Sequence, residues 1–208
     1  MDLLTILIIV GVGGACFYFW QNQQKQKPTE NKPLRPFGSE ELRIENVGPG
    51  AVIHLTGIGK EMEDFDLKVI SKHTYRQGES SWYEFECDKG EEKVWLDMEE
   101  DDEIELAVGL RKLKLRELTI TKEDLVRFDE KEEGSFEFEG RKYWLEDSDS
   151  AVFYRHSNDK EAEKFYYWDF EDDSGKNYIG IEKWSDGSYD ITYSEAIKPS
   201  QLTVYSIR

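Results

Sequence analysis

From Glu40 onward the apolar residues fall in short runs that alternate with polar ones and are broken by Gly, Asp, Ser and Asn. The period is two, which predicts strands and turns. The clearest run, Ser135-Phe136-Glu137-Phe138-Glu139, puts Phe on one face and Glu on the other. The same texture predicts strands over Ala51 to Leu55, Asp66 to Lys72, Trp82 to Asp88, Lys93 to Met98, Ile104 to Val108 and Phe136 to Glu139. It continues over Arg141 to Glu146, Ala151 to His156, Phe165 to Glu171, Tyr178 to Lys183, Ser188 to Tyr193 and Leu202 to Ile207. Asp186-Gly187 between two runs predicts a tight hairpin.

The pattern before Glu40 is different. Leu3 to Trp20 is an unbroken run without a charge. As a helix it reaches roughly 27 Å at about 1.5 Å per residue, close to the hydrocarbon thickness of a bilayer. Residues 1–22 are therefore expected to form one transmembrane helix. Leu3, Leu4, Ile6, Leu7, Ile8, Ile9 and Val10 supply its apolar body, and Phe17, Tyr18, Phe19 and Trp20 its interfacial rings. Lys25, Lys27, Lys32 and Arg35 follow the run, while only Met1 and Asp2 precede it, which points the C-terminal side to the cytoplasm. A cleaved signal peptide fits less well, because Asp2 stands where a basic region belongs. Cys16 behind Gly13-Gly14-Ala15 resembles a degraded lipobox, and its acylation would place an exported, lipid-anchored domain on the opposite side. Gly11 and Ala15, four residues apart, offer a close-approach face for a homo-oligomer. Residues 23–39, rich in Gln, Asn, Lys and Pro, read as a flexible linker.

An internal repeat organises the remainder. Tyr83 to Gly90 lies over Trp168 to Gly175 without a gap, and in that register Val94 meets Ile179, Leu96 meets Ile181 and Asp97 meets Glu182. After an extra segment around Leu110 to Arg116, Ile120, Leu125 and Phe128 fall on Ile197, Leu202 and Tyr205. The expected fold is all-β: two related antiparallel meander units, residues 40–130 and 134–208, packed as one body behind the single transmembrane helix.

Charge narrows the partners. Residues 1–38 hold Asp2 and Glu30 against four basic residues, a net of +2, so the whole-chain net of −18 leaves −20 on residues 39–208. Such a body is repelled by nucleic-acid backbones and anionic lipid alike. No nucleic-acid partner is expected. Contact with the membrane is expected through the N-terminal helix, and the body is expected to engage another protein. Cys87 is the one cysteine beyond the span, which rules out a disulfide within residues 39–208.

The segments Gly50 to His54, Asp66 to Ile70, Trp82-Tyr83-Glu84-Phe85 and Val94-Trp95-Leu96-Asp97 bring a family into view. So do Tyr167 to Asp172, Tyr178 to Trp184 and Ile197-Lys198-Pro199. Together they resemble the bacterial family called domain of unknown function 4178, over nearly all of residues 45–208. Ser71 stands where many members carry Gly. The resemblance implies the fold and a setting in membrane-associated or envelope-stress systems. Its motifs are strand cores that carry no catalytic residue.

Chemistry has few other footholds. The acidic run from Asp97 to Glu105 is dense enough in carboxylate oxygens for Ca²⁺, but the repeat places Asp101-Asp102 over the turn Asp186-Gly187, a solvated hairpin tip. His54, His73 and His156 have no partner at metal-ligand spacing. Nucleophile elbows, phosphate loops and dinucleotide fingerprints are absent. No cofactor and no metal site is expected. The aromatic residues exceed what a small core needs, and Tyr167 and Trp168 cannot share a face. Trp82, Trp95, Trp168, Trp184 and Tyr167 are therefore the candidate binding residues, as anchors for a partner or as packing between the units. The expectation is a membrane-tethered, non-catalytic binding or scaffold protein. Two alternatives stand beside it: the lipid-anchored surface protein, and a hydrolase drawing carboxylates such as Asp97 and Glu182 from both repeats.

Overall fold

Alternation along the chain becomes eleven strands in the computed structural model, which describes residues 42–208 except 91, 101 and 102. These are β1 (Val52–Ile58), β2 (Glu63–Gln77), β3 (Ser80–Asp88), β4 (Lys93–Glu100), β5 (Ile104–Leu113), β6 (Ser135–Phe138), β7 (Arg141–Tyr154), β8 (Ala162–Asp172), β9 (Asn177–Trp184), β10 (Tyr189–Ile197) and β11 (Leu202–Ser206). One helix, α1 (Lys122–Lys131), lies between β5 and β6. The predicted transmembrane segment, its Gly11 and Ala15 face, Cys16 and the linker fall outside the described residues. Among the described residues, no helix is long and apolar enough to cross a membrane.

The strands form one antiparallel sheet in the order β11-β1-β2-β3-β4-β5-β10-β9-β8-β7-β6, with a further pairing between β2 and β7. That pairing joins Thr74, Tyr75 and Arg76 to Tyr154, Phe153 and Val152. It closes β2-β3-β4-β5-β10-β9-β8-β7 into a ring of eight strands, made of two four-stranded meanders. The two long strands at the closure behave alike. β2 pairs with β1 up to Lys68, shifts register between Val69 and Ser71, and reaches β7 only afterwards. β7 pairs with β6 up to Trp144, shifts between Leu145 and Asp147, and then reaches β2. Each irregularity bends its strand away from a flanking strand and into the ring, the geometric effect of an extra residue in a ladder.

Alternation leaves the ring with two different faces. The outward face of β3 to β5 carries Phe85, Leu96 and Val108 into a core with Ile53 and Leu55 of β1, Leu67 of β2 and Val204 of β11. The outward face of β8 and β9 carries Trp168, Phe170, Ile179 and Ile181 into a second core with α1 and β6. A smaller aromatic cluster of Tyr75, Phe153, Phe165 and Tyr167, with Trp82 and Trp184 against it, sits beside the β2–β7 closure.

The structure corrects the sequence reading in two elements. Leu125 and Phe128, expected over Leu202 and Tyr205 of a strand, lie on α1, so the fold is predominantly antiparallel sheet with one helix. The cause is local: Thr121 Oγ1 accepts from the Asp124 amide at 3.2 Å while Asp124 Oδ2 accepts from the Thr121 amide at 2.8 Å, a reciprocal cap that starts a helix. Leu125 and Phe128, three apart, then share its buried side. The second element is β7, expected as two strands with a turn at Asp147 to Ser150 but continuous through that polar stretch.

Gly134, just past α1, is pressed on the Phe128 ring; a Cβ there would lie 2.3 Å from Cγ of that buried side chain. Gly134→Ala is expected to destabilise the domain by about 1 to 3 kcal/mol through overpacking, read from the urea midpoint at unchanged slope.

Candidate functional site

The inner face of the ring is not filled. Eight strands enclose a width that side chains just fill or that holds one small ligand. Here a cavity of about 610 Å³ remains, lined by residues of all eight ring strands. Its space comes from small residues on one wall: Ala107 of β5, Gly180 of β9, and Thr192 and Ser194 of β10. The opposite wall is aromatic, with Tyr75 of β2, Trp82 of β3, and Phe165 and Tyr167 of β8. Tyr75 stacks on Trp82 with ring centroids 5.4 Å apart, and Tyr167 meets the same indole edge-on at 6.0 Å.

Alternation sorts the predicted binding residues between the two faces. Trp82, Trp95 and Tyr167 line the cavity. Trp184 lies across from Phe165 on the same inner face, beside the cavity, and stacks on that ring at 5.1 Å. Trp168 turns the other way, buried against α1, where its Nε1 donates to Asp129 Oδ1 at 2.8 Å. Tyr167 and Trp168 do point to opposite faces, yet both are buried because both faces are covered. The Tyr167 hydroxyl donates to Asp147 Oδ2 at 2.5 Å and lies 2.9 Å from Gln77 Oε1.

Acidic residues dominate the polar part of the wall. Nine carboxylates line the cavity (Glu84, Asp97, Glu99, Glu105, Glu146, Asp147, Asp169, Glu171 and Glu182), and no lysine, arginine or histidine is among the lining residues. Four of the nine sit deepest. Glu84 lies directly across from Asp97 on β3 and β4. Asp169 lies opposite Gly180, and Glu182 opposite Tyr167, on β8 and β9. The 85-residue spacing that relates Glu84 to Asp169 and Asp97 to Glu182 is thus two residues out of step with the ladders, a shift that leaves every side chain on the same face.

The four carboxylates open to the cavity, and among the described residues no buried side-chain oxygen or nitrogen is left without a partner. Asp169 is surrounded by protein, yet more than a third of its surface is open to water, because that opening is the cavity. Loss of bulk water raises all four acids. It pushes Asp97 up to about 6, Asp169 to about 7 and Glu182 to about 8, and holds Glu84 well above the usual range. Asp147, Asp97 and Glu99 add to the effect at Asp169, whereas Lys112 opposes it at Glu84, Asp97 and Glu182. Lys112 itself lies 3.7 Å from Asp190 and over the Trp95 ring at 4.8 Å. Toward another part of the wall, Glu105, Glu146 and Glu171 stand near enough that each of the first two raises the third.

Two histidines expected to be isolated come together beside the closure. His73 and His156 lie 5.4 Å apart, with His73 Nδ1 accepting from the His156 amide at 3.0 Å and Ser71 Oγ 2.5 Å from His156 Nδ1. Sequence distance hid the pair: β2 and the β7–β8 connection meet only when the ring closes. Cys87 is buried and its thiol is pushed up to about 12, which keeps it unreactive. No group of three or more His, Cys, Asp or Glu among the described residues is placed to hold a metal ion.

A carboxyl whose folded pKa is raised contributes least once it ionises, so stability falls as pH climbs from about 5 through 6 to 8. Glu182→Gln is expected to stabilise the domain by about 1 to 3 kcal/mol at pH 8 and to change little at pH 5, measured by denaturant unfolding at both values.

No curated protein and no solved structure matches this chain. The sequence model of one family, Domain of unknown function (DUF4178), matches residues 61–199, a span from β1's partner strand to the end of β10 that includes every residue lining the cavity, and the chain belongs to that family.

Proposed function

We propose that this protein is a non-catalytic, membrane-tethered binding module that takes a small molecule into the lumen of its strand ring. The observation that carries the reading is the cavity itself, about 610 Å³ with one aromatic wall, within the size range of small-molecule sites. The glycine and alanine on the wall opposite the rings keep that space open, where larger side chains would fill it. The two meanders are read as a duplicated unit, so the lumen lies between two copies of one ancestral motif. Residues 1–22 hold the domain at the membrane, with the ring on the cytoplasmic side, in the membrane-stress setting that the family resemblance implies. Protein partners reach the body from outside the ring.

A second reading has one observation in its favour. Asp97 and Glu182 share the cavity with pKa values of about 6 and 8, a separation of the kind that lets one carboxyl donate a proton while another accepts. That reading makes the lumen a hydrolase site.

Gly180 has ordinary backbone geometry, and its Cβ direction points at Asp169 Oδ1 inside the cavity. Gly180→Leu is therefore expected to fill the lumen while the fold persists by circular dichroism. In a thermal-shift screen of full-length protein against neutral, anionic and cationic small molecules, hits on the wild type are expected to vanish in this variant. A screen without any such difference overturns the lumen reading, and product formation from any hit transfers the site to the second reading. Deletion of residues 1–22 is expected to move the chain from the membrane pellet to the supernatant. Intact protein already in the supernatant overturns the tether.

A further inference from the structure

We propose that the ligand of the lumen is a small organic polycation, a molecule with two or more ammonium groups on an apolar chain. The inference rests on the lumen being the binding site and adds the chemistry of its occupant.

Nine carboxylates and no basic side chain line one cavity, so its field selects for positive charge. Four of them, Glu84, Asp97, Asp169 and Glu182, open to the cavity from β3, β4, β8 and β9. Acids gathered in one space raise one another, as Asp97 and Glu182 raise Glu84, and a bound cation relieves that repulsion. Lys112 offsets part of this charge at Glu84, Asp97 and Glu182, but it is one ammonium, itself 3.7 Å from Asp190, against nine lining carboxylates. A metal ion does not fit, because no three of these acids are placed to share one. Spread over the four strands β3, β4, β8 and β9, the acids suit charges that are themselves spaced along a chain. The walls agree with this: Trp82, Trp95, Tyr75 and Tyr167 present ring faces and edges to alkyl carbon, and ring faces also attract ammonium. Glu105, Glu146 and Glu171 extend the same sign of charge along the wall.

The raised carboxyls supply a distinctive readout. Groups that are protonated in the empty lumen must ionise against a bound cation, so binding releases protons and tightens as pH rises. The groups that face them and shape this response are Asp147 of β7, Asp190 of β10, Glu99 of β4 and Lys112 of β5.

The experiment is titration calorimetry on the full-length protein in detergent, with 1,5-diaminopentane, a linear triamine, 1,5-pentanediol, glutarate and calcium chloride as probes. The amines are expected to bind at pH 8, to weaken at least tenfold at pH 5.5, and to release protons in buffers of different ionisation heat. Asp169→Asn and Glu182→Gln are each expected to weaken them tenfold or more, while Glu130→Gln, an exposed charge change on α1, leaves binding within twofold. Gly180→Leu is expected to abolish it. Diol or glutarate binding that Gly180→Leu removes, with the amines silent, overturns the polycation and leaves the lumen reading intact. Equal affinity for calcium, or amine binding that survives Gly180→Leu, also overturns the proposal.

Discussion

Three residue pairs decide what this molecule is. Thr74, Tyr75 and Arg76 meet Tyr154, Phe153 and Val152, and without that short ladder the sheet is an open ribbon with one face wet along its length. With it, the ribbon has an inside. The closure is reinforced where it is shortest: the β7–β8 connection folds back so that Thr74 Oγ1 donates to Ser157 Oγ at 2.9 Å and Ser157 Oγ donates to the Lys72 carbonyl at 3.0 Å. His156 and Ser157 both adopt left-handed backbone there, with φ of 54° and 53°. Non-glycine residues hold that conformation only when their surroundings compel them, and here the buried Ser71, His73 and Thr74 do so.

Closure also changes the meaning of each strand residue. On an open sheet, Glu84 and Asp169 are ordinary solvent-side acids. Inside the ring the same side chains lose bulk water and both gain Asp97 as an acidic neighbour, so their proton affinity becomes a property of the enclosure. The outward residues are governed by a different balance. Phe85, Leu96, Ile179 and Ile181 are wholly buried under flanking strands and α1, and their contribution is hydrophobic burial of the usual kind. The apolar cores and the acidic cavity therefore occupy opposite faces of the same strands.

Much of this was readable from the chain, and the limit has a physical origin. Period-two alternation located every strand of the described region, because pleating forces successive side chains apart whatever the tertiary fold. Trp82, Trp95 and Tyr167, which the excess of rings singles out, line the cavity, as do Asp97 and Glu182, which stand at equivalent places in the repeat. Trp168 was chosen on the same grounds and belongs to the outer core, since composition does not say which face is which. Glu84 and Asp169 were missed because an acid in an alternating strand reads as exposed. α1 carried its signal in Thr121 and Asp124, but the repeat register outweighed it. Ring closure itself is a pairing across roughly eighty residues, and no local pattern reports it.

The flank of the first core has one more implication. β11, the last strand, pairs with β1, and Val204 together with Ile197 completes the cluster around Ile53, Phe85 and Leu96. Those partners are translated after β1 to β9. β1 is therefore made well before the strand that completes its core, and its apolar face stays uncovered over that interval, the kind of surface that chaperones hold.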